Sequence, residues 1–273
     1  MLQQLATELK IRGFTPATIT AYTTHNRRFL DFIQKQPEQI TEQDIKLYLA
    51  HLMADKKQKA TSVNLTLSAL RFLYDTMLKK KLFLDIKPPK IEKKLPTVLT
   101  KDEMKKLLAA VTNPKHKLLI EFLYSSGLRV SECMRLKVND LDFAEKMGRV
   151  ISGKGKKDRH IILSQNLLEH LQFYLDKRKY PSEYVFTGHQ GKPMSVRMAQ
   201  RIVNEAAQEA QLKKRVFCHA LRSSFATHLL EAGTDIRIIQ VILGHSSIST
   251  TEHYVGVSTE QLKKVKSPFD SLG

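Results

Sequence analysis

Apolar residues recur at three- and four-residue steps through about the first 85 residues, the period that turns one side of a helix toward a core. Thr15 before Pro16 opens a helix whose apolar stripe is Ile19, Tyr22, Phe29 and Ile33, and Thr41 opens another with Ile45, Tyr48, Leu49 and Leu52. A third helix is predicted from about Thr61 through Val63, Leu67, Leu70, Tyr74 and Met77, and a shorter one over about Leu2 to Ile11 precedes them all. The period then breaks. Residues 87–97, KPPKIEKKLPT, hold three prolines and four lysines with no apolar rhythm, and predict an extended cationic linker.

Beyond it the pattern restarts with Thr100-Lys-Asp-Glu103, a capping box ahead of Met104, Leu107 and Leu108. A helix over about Pro114 to Ser125 stops at Gly127, and a short one lies near 130–136. The run RVISGKGKKDRHIIL changes character: two β-rich stretches, about 149–152 and 159–163, flank a Gly- and Lys-rich turn, which predicts a hairpin. Helical periods return at about 165–179, 195–211, 218–231, 235–243 and 259–266. The expected fold is therefore mainly α. A helical bundle covers residues 1–86, the linker 87–97, and a mixed α/β domain with one small antiparallel sheet and a tail helix covers 98–273. No repeat of 20 to 50 residues suggests a solenoid.

Charge narrows the partners. The 273 residues carry 45 Lys plus Arg against 27 Asp plus Glu, a net charge of +18, and with 42% hydrophobic residues the excess sits on a folded surface. It is shared between the two parts: residues 1–96 hold 17 basic and 9 acidic side chains, residues 97–273 hold 28 and 18. A polyanion touched by both domains, as by a clamp, is the expected partner. No apolar stretch reaches the roughly 18 residues of a membrane span, and the N-terminal residues lack an apolar signal core. Cys133 and Cys218 are too few and too far apart for a disulfide framework. A cytoplasmic protein without a membrane partner is expected.

Four clusters in the second domain hold candidate chemistry: Gly127-Leu-Arg129-Val-Ser-Glu132, Gly153-Lys154-Gly155, His219-Ala-Leu-Arg222, and Leu243-Gly244-His245 with Tyr254 beyond it. Singly, each has an ordinary explanation. Arg129 and Glu132 can be a surface pair one helical turn apart, Lys154 a solvated turn lysine, His219 and Arg222 a capping or core-edge pair, and Tyr254 one packing tyrosine among eight. Together they meet the needs of one reaction. A phosphodiester repels nucleophiles, so attack requires cations on its non-bridging oxygens, and guanidinium groups supply paired donors that stay charged. A tyrosine hydroxyl can form a covalent phosphotyrosine, and a lysine can protonate the departing sugar oxygen. Neither a metal nor another cofactor is needed.

GLRVSE, the lysine of SGKGKKDR, HALRSSFATHLL and LGHSSISTTEHY resemble the signature boxes of the tyrosine site-specific recombinases, of the Xer and phage integrase type, over the whole chain. The resemblance implies an N-terminal helical, SAM-like core-binding domain and a C-terminal catalytic domain that close as a C-shaped clamp on DNA. It implies that Arg129 and Arg222 hold the scissile phosphate, Tyr254 is the nucleophile, and Lys154 is the general acid. His219 and His245 would be hydrogen-bonding or proton-handling partners, and Glu132 a supporting acid. Cleavage would give a 3′-phosphotyrosine, and two exchanges through a Holliday junction imply a homotetramer on two double-stranded core sites, alone or with a second recombinase. Many relatives follow the nucleophile with Thr-His, whereas Val255-Gly256 follow Tyr254 and His253 precedes it. No separate arm-binding domain is expected.

Other readings fit less well. Cys218, His219, His228, His245 and His253 lie close in sequence, but lack HExxH or a paired zinc spacing. GKGKK lacks the spacing and the Ser or Thr of a nucleotide-binding phosphate loop. A type IB topoisomerase would share the chemistry without exchanging strands, and a DNA-binding regulator would use the charge without the tyrosine.

Overall fold

The computed structural model describes residues 1–91, 95–151 and 158–244. Contacts divide the chain into two compact units, Met1–Lys93 and Lys94–Gly273.

The first unit is all helical: α1 (Leu2–Ile11), α2 (Pro16–Ile33), α3 (Glu42–Ala54) and α4 (Ala60–Arg71). The chain starts each helix where a side chain meets the unpaired amides. The Thr15 hydroxyl accepts from the Thr18 amide with Pro16 in the first turn, and Thr41 and Asp44 cap α3 reciprocally. Leu5, Leu9, Phe29, Ile45, Leu70, Leu73 and Tyr74 are fully buried in the shared core. Helix α4 does not run straight to Met77 as its apolar period predicts. At Phe72 it widens into a π-helical turn that ends at Met77, where the Leu78 amide donates to the Leu73 carbonyl. Two polar ties lock α2 onto α4: Asn26 Nδ2 donates to the Ala69 carbonyl at 3.0 Å, and His25 Nδ1 shares a 2.9 Å hydrogen bond with the Thr66 hydroxyl.

In the second unit α5 (Lys101–Ala110) begins at the Thr100–Glu103 capping box, and α6 (Pro114–Ser126) ends where Gly127 adopts a left-handed conformation with φ 61°. Only glycine fits there, because an added Cβ would lie 2.4 Å from the Phe225 ring. After α7 (Val130–Cys133) come β1 (Leu141–Asp142), β2 (Met147–Val150) and β3 (Arg159–Ile162), an antiparallel sheet in chain order with Val150 opposite Arg159. The expected hairpin is thus shifted by two residues in its first strand and gains a third strand, too short to leave an alternating signature. Helices α8 (Gln165–Lys177), α9 (Val196–Glu209), α10 (Cys218–Glu231) and α11 (Ile236–Leu243) follow at nearly the expected bounds. The expected tail helix at 259–266 lies outside the described residues. The core gathers α6, α9 and the start of α10 around Leu119, Phe122, Phe186, Val203 and Leu221, and no described helix is long and apolar enough to cross a membrane.

Candidate active site

The left-handed turn at Gly127 sends the chain from α6 into Arg129, which precedes the first turn of α7 with extended backbone. One turn later Glu132 folds back on it. The Arg129 amide donates to Glu132 Oε2 at 2.9 Å, and its Nη1 donates to Oε1 at 2.8 Å. The expected pair is therefore real, but it is not a surface pair: the carboxylate side chain is only 8% exposed.

A second arginine completes it. Arg159, at the start of β3, donates from Nη1 to Glu132 Oε1 at 3.0 Å and from Nη2 to Oε2 at 2.7 Å. Burial alone would raise the Glu132 carboxyl, but the bonds from Arg159 and from the amide and guanidinium of Arg129 prevail and hold it down at about 2. The third donor of Arg159, Nε, reaches the Ile242 carbonyl at 2.9 Å. Arg159 thus ties α7, β3 and the end of α11 through one side chain.

Arg222 lies on α10 with 1% of its surface exposed. Its Nη1 donates to the Gly127 carbonyl at 2.6 Å and its Nη2 to the Leu243 carbonyl at 2.7 Å. Those carbonyls belong to the first and last of the four sequence clusters, so one buried guanidinium reaches residues 95 and 21 positions away in the chain. His219, three residues earlier on the same helix, keeps an exposed edge. Burial of the rest of its ring, and then the charges of Arg222 and Arg129, lower its pKa and keep the imidazole neutral near pH 7. Among the described residues, the Arg129 guanidinium hydrogen-bonds only Glu132, so part of its edge remains for a ligand.

Four of the seven residues singled out from the sequence, Arg129, Glu132, His219 and Arg222, therefore converge. Lys154, His245 and Tyr254 lie outside the described residues, although the segment containing Lys154 starts and ends at the paired Val150 and Arg159. Of the sulfur and imidazole groups considered for zinc, Cys218 is buried with its thiol pushed up to about 11, chiefly by desolvation, and His228 Nδ1 shares a 2.7 Å hydrogen bond with the Tyr124 hydroxyl. Sequence reasoning missed Arg159. The alternation buried, exposed, buried, exposed over Arg159–Ile162 is the signal that turns it inward with Ile161.

The arrangement offers fixed cations around an acid that cannot be neutralised at ordinary pH, beside a neutral imidazole with an open edge. Such a set suits the non-bridging oxygens of a phosphodiester. The chain is also similar to known proteins. Residues 97–261 match the Phage integrase family, and residues 1–83 match the family described as phage integrase, N-terminal SAM-like domain. Tyrosine recombinase XerA of Pyrococcus furiosus is 38% identical over 269 residues, which cover 97% of this chain and 92% of the relative. A crystal structure of XerA recombinase is similar with a TM-score of 0.58 and 31% identity over 96% of this chain and 95% of that one. The fold is also shared with XerH recombinase bound to palindromic difH substrate in a post-cleavage complex, TM-score 0.77 at 24% identity, covering 99% and 85% of the two chains.

Proposed function

Because the chain belongs to the phage integrase family of tyrosine site-specific recombinases, enzymes that break and rejoin DNA, we propose that Arg129 and Arg222 are the phosphate clamp of its active site and Tyr254 its nucleophile. The observation that carries the assignment is the reach of Arg222 to the carbonyls of Gly127 and Leu243. It draws together, around one cation, clusters that are remote in sequence and share no reason to meet in a mere packing element.

In this reading the Tyr254 hydroxyl attacks the scissile phosphorus and loses its proton, and the bond to the 5′-oxygen breaks as Lys154 protonates that oxygen. The arginines neutralise the charge that grows on the non-bridging oxygens. His219, neutral and open at one edge, and His245 donate hydrogen bonds or move the tyrosine proton. The product is a 3′-phosphotyrosine and a free 5′-hydroxyl. Attack by the 5′-hydroxyl of a second duplex reverses the step, so the bond energy is kept and no nucleotide is hydrolysed. Two rounds pass through a Holliday junction, which supports a homotetramer on two double-stranded core sites.

The division of labour follows the two units: residues 1–86 as core-binding domain, 87–97 as linker, 98–273 as catalytic domain. Both carry excess positive charge, which supports phosphate contacts from each. The chemistry belongs in the cytoplasm, where DNA is at hand.

Single-turnover cleavage of a nicked core site tests the clamp. Arg129→Ala and Arg222→Ala should each lower the rate by about a hundredfold or more, the cost of removing one donor to a developing oxyanion, while DNA binding changes less. On a substrate with sulfur at the 5′-bridging position, whose leaving group needs no proton, Lys154→Ala should recover and Arg222→Ala should not. Wild-type rates in either arginine variant refute the clamp, whereas relaxation without strand exchange by the wild type refutes recombination.

A further inference from the structure

We propose that Arg159 is a positioning residue that sets the orientation of the phosphate-binding arginines: it locks Glu132 against Arg129 and, through the Ile242 carbonyl, fixes the turn that leads to His245. The inference rests on the recombinase reading above and adds a residue to it.

Each oxygen of Glu132 receives one bond from each arginine. Oε1 accepts from Arg129 Nη1 and Arg159 Nη1, and Oε2 accepts from the Arg129 amide and Arg159 Nη2. The carboxylate cannot pivot toward one partner without breaking a bond to the other, so the direction of the Arg129 side chain is dictated by Arg159. The remaining donor, Nε, is engaged 83 residues away at Ile242. The close fit continues at Gly244, which has φ 65° and no room for a side chain: a Cβ there would lie 2.6 Å from Arg159 Cδ. Each of the three guanidinium nitrogens of Arg159 already donates within the protein, two to Glu132 and one to the Ile242 carbonyl. It acts through Glu132 and Ile242, not on the phosphate. It also sits opposite Val150 in the last pair before the segment that joins the two strands, the segment in which Lys154 falls in sequence.

Lysine cannot replace it. An ammonium group keeps the charge but lacks the planar fork, so it cannot serve both Glu132 oxygens and the Ile242 carbonyl together. Arg159→Lys should therefore bind the core site with unchanged affinity and remain folded, yet cleave about tenfold to hundredfold more slowly, as a displaced reacting geometry does. A purely structural residue would lower the melting temperature and leave cleavage well below it intact.

The decisive comparison uses the full chain on two nicked substrates, one with the natural scissile phosphate and one with a neutral methylphosphonate in its place. Loss of one negative charge makes the clamp less important, so the Arg159→Lys defect should shrink on the methylphosphonate in step with that of Arg129→Ala. A defect equal on both substrates, or wild-type cleavage by Arg159→Lys, overturns the inference. If Arg159→Lys does not fold, Glu132→Gln, which keeps the shape and one acceptor oxygen, carries the same comparison with the same outcomes. Failure of the wild type itself to form a covalent adduct would instead refute the recombinase reading.

Discussion

The carboxylate of Glu132 receives four hydrogen bonds, two from each of two arginine residues, while buried beneath the turn that presents Arg129. A buried carboxylate is costly unless its charge is balanced, and removal of one partner leaves the other uncompensated. Glu132→Ala would strand Arg159 in the interior, and chemical denaturation should show a loss of about 3–5 kcal/mol. A loss below about 1 kcal/mol, the value of an exposed pair, would mean that water already screens the network. This pair was half legible. The spacing of Arg129 and Glu132 announces contact, because residues three apart on a helix meet. Arg159 was not legible, since it stands among Lys154, Lys156, Lys157 and Asp158 in a run that reads as a solvated turn. Only the strand register, with Val150 opposite Arg159 and Ile161 pointing the same way, distinguishes an inward cation from its outward neighbours.

Helices in this protein are joined by neutral histidines as well as by apolar stripes. His25 of α2 bonds Thr66 of α4, and His228 of α10 bonds Tyr124 of α6. Burial lowers the pKa of both, with Arg28 adding to the effect on His25 and Lys101 to that on His228, against Glu231. His219 is lowered for the reasons given above. A histidine whose folded pKa lies below its unfolded value contributes stability that is complete above about pH 6.5 and is lost as the pH falls through the folded pKa. Thermal melts should therefore weaken from pH 7 toward pH 5, before the lowered carboxyls of Asp44, Glu103 and Glu132 contribute to a second loss in stronger acid. A melting temperature that is flat or rises over pH 7 to 5 would contradict this. The helices themselves were largely legible, since capping residues such as Thr15, Thr41 and Thr100 mark their starts. The π-helical turn at Phe72 and the two-residue strand at Leu141 were not, because neither alters the apolar period over enough residues to register.

Taken whole, the chain joins two basic units with a candidate site built by tertiary contact. Its net charge of +18 predicts binding dominated by phosphate contacts, and its family membership gives those contacts a purpose. The sequence boxes named Arg129 and Arg222, but not the carbonyls of Gly127 and Leu243 that hold Arg222, since backbone acceptors leave no trace in residue type. The defining step is the covalent bond proposed at Tyr254. A nicked core site, trapped with the full chain and digested, should yield a DNA-linked peptide whose modified residue is Tyr254, in a reaction that survives EDTA and is abolished by Tyr254→Phe without loss of binding. An adduct that persists in Tyr254→Phe, or maps to another tyrosine, would contradict it.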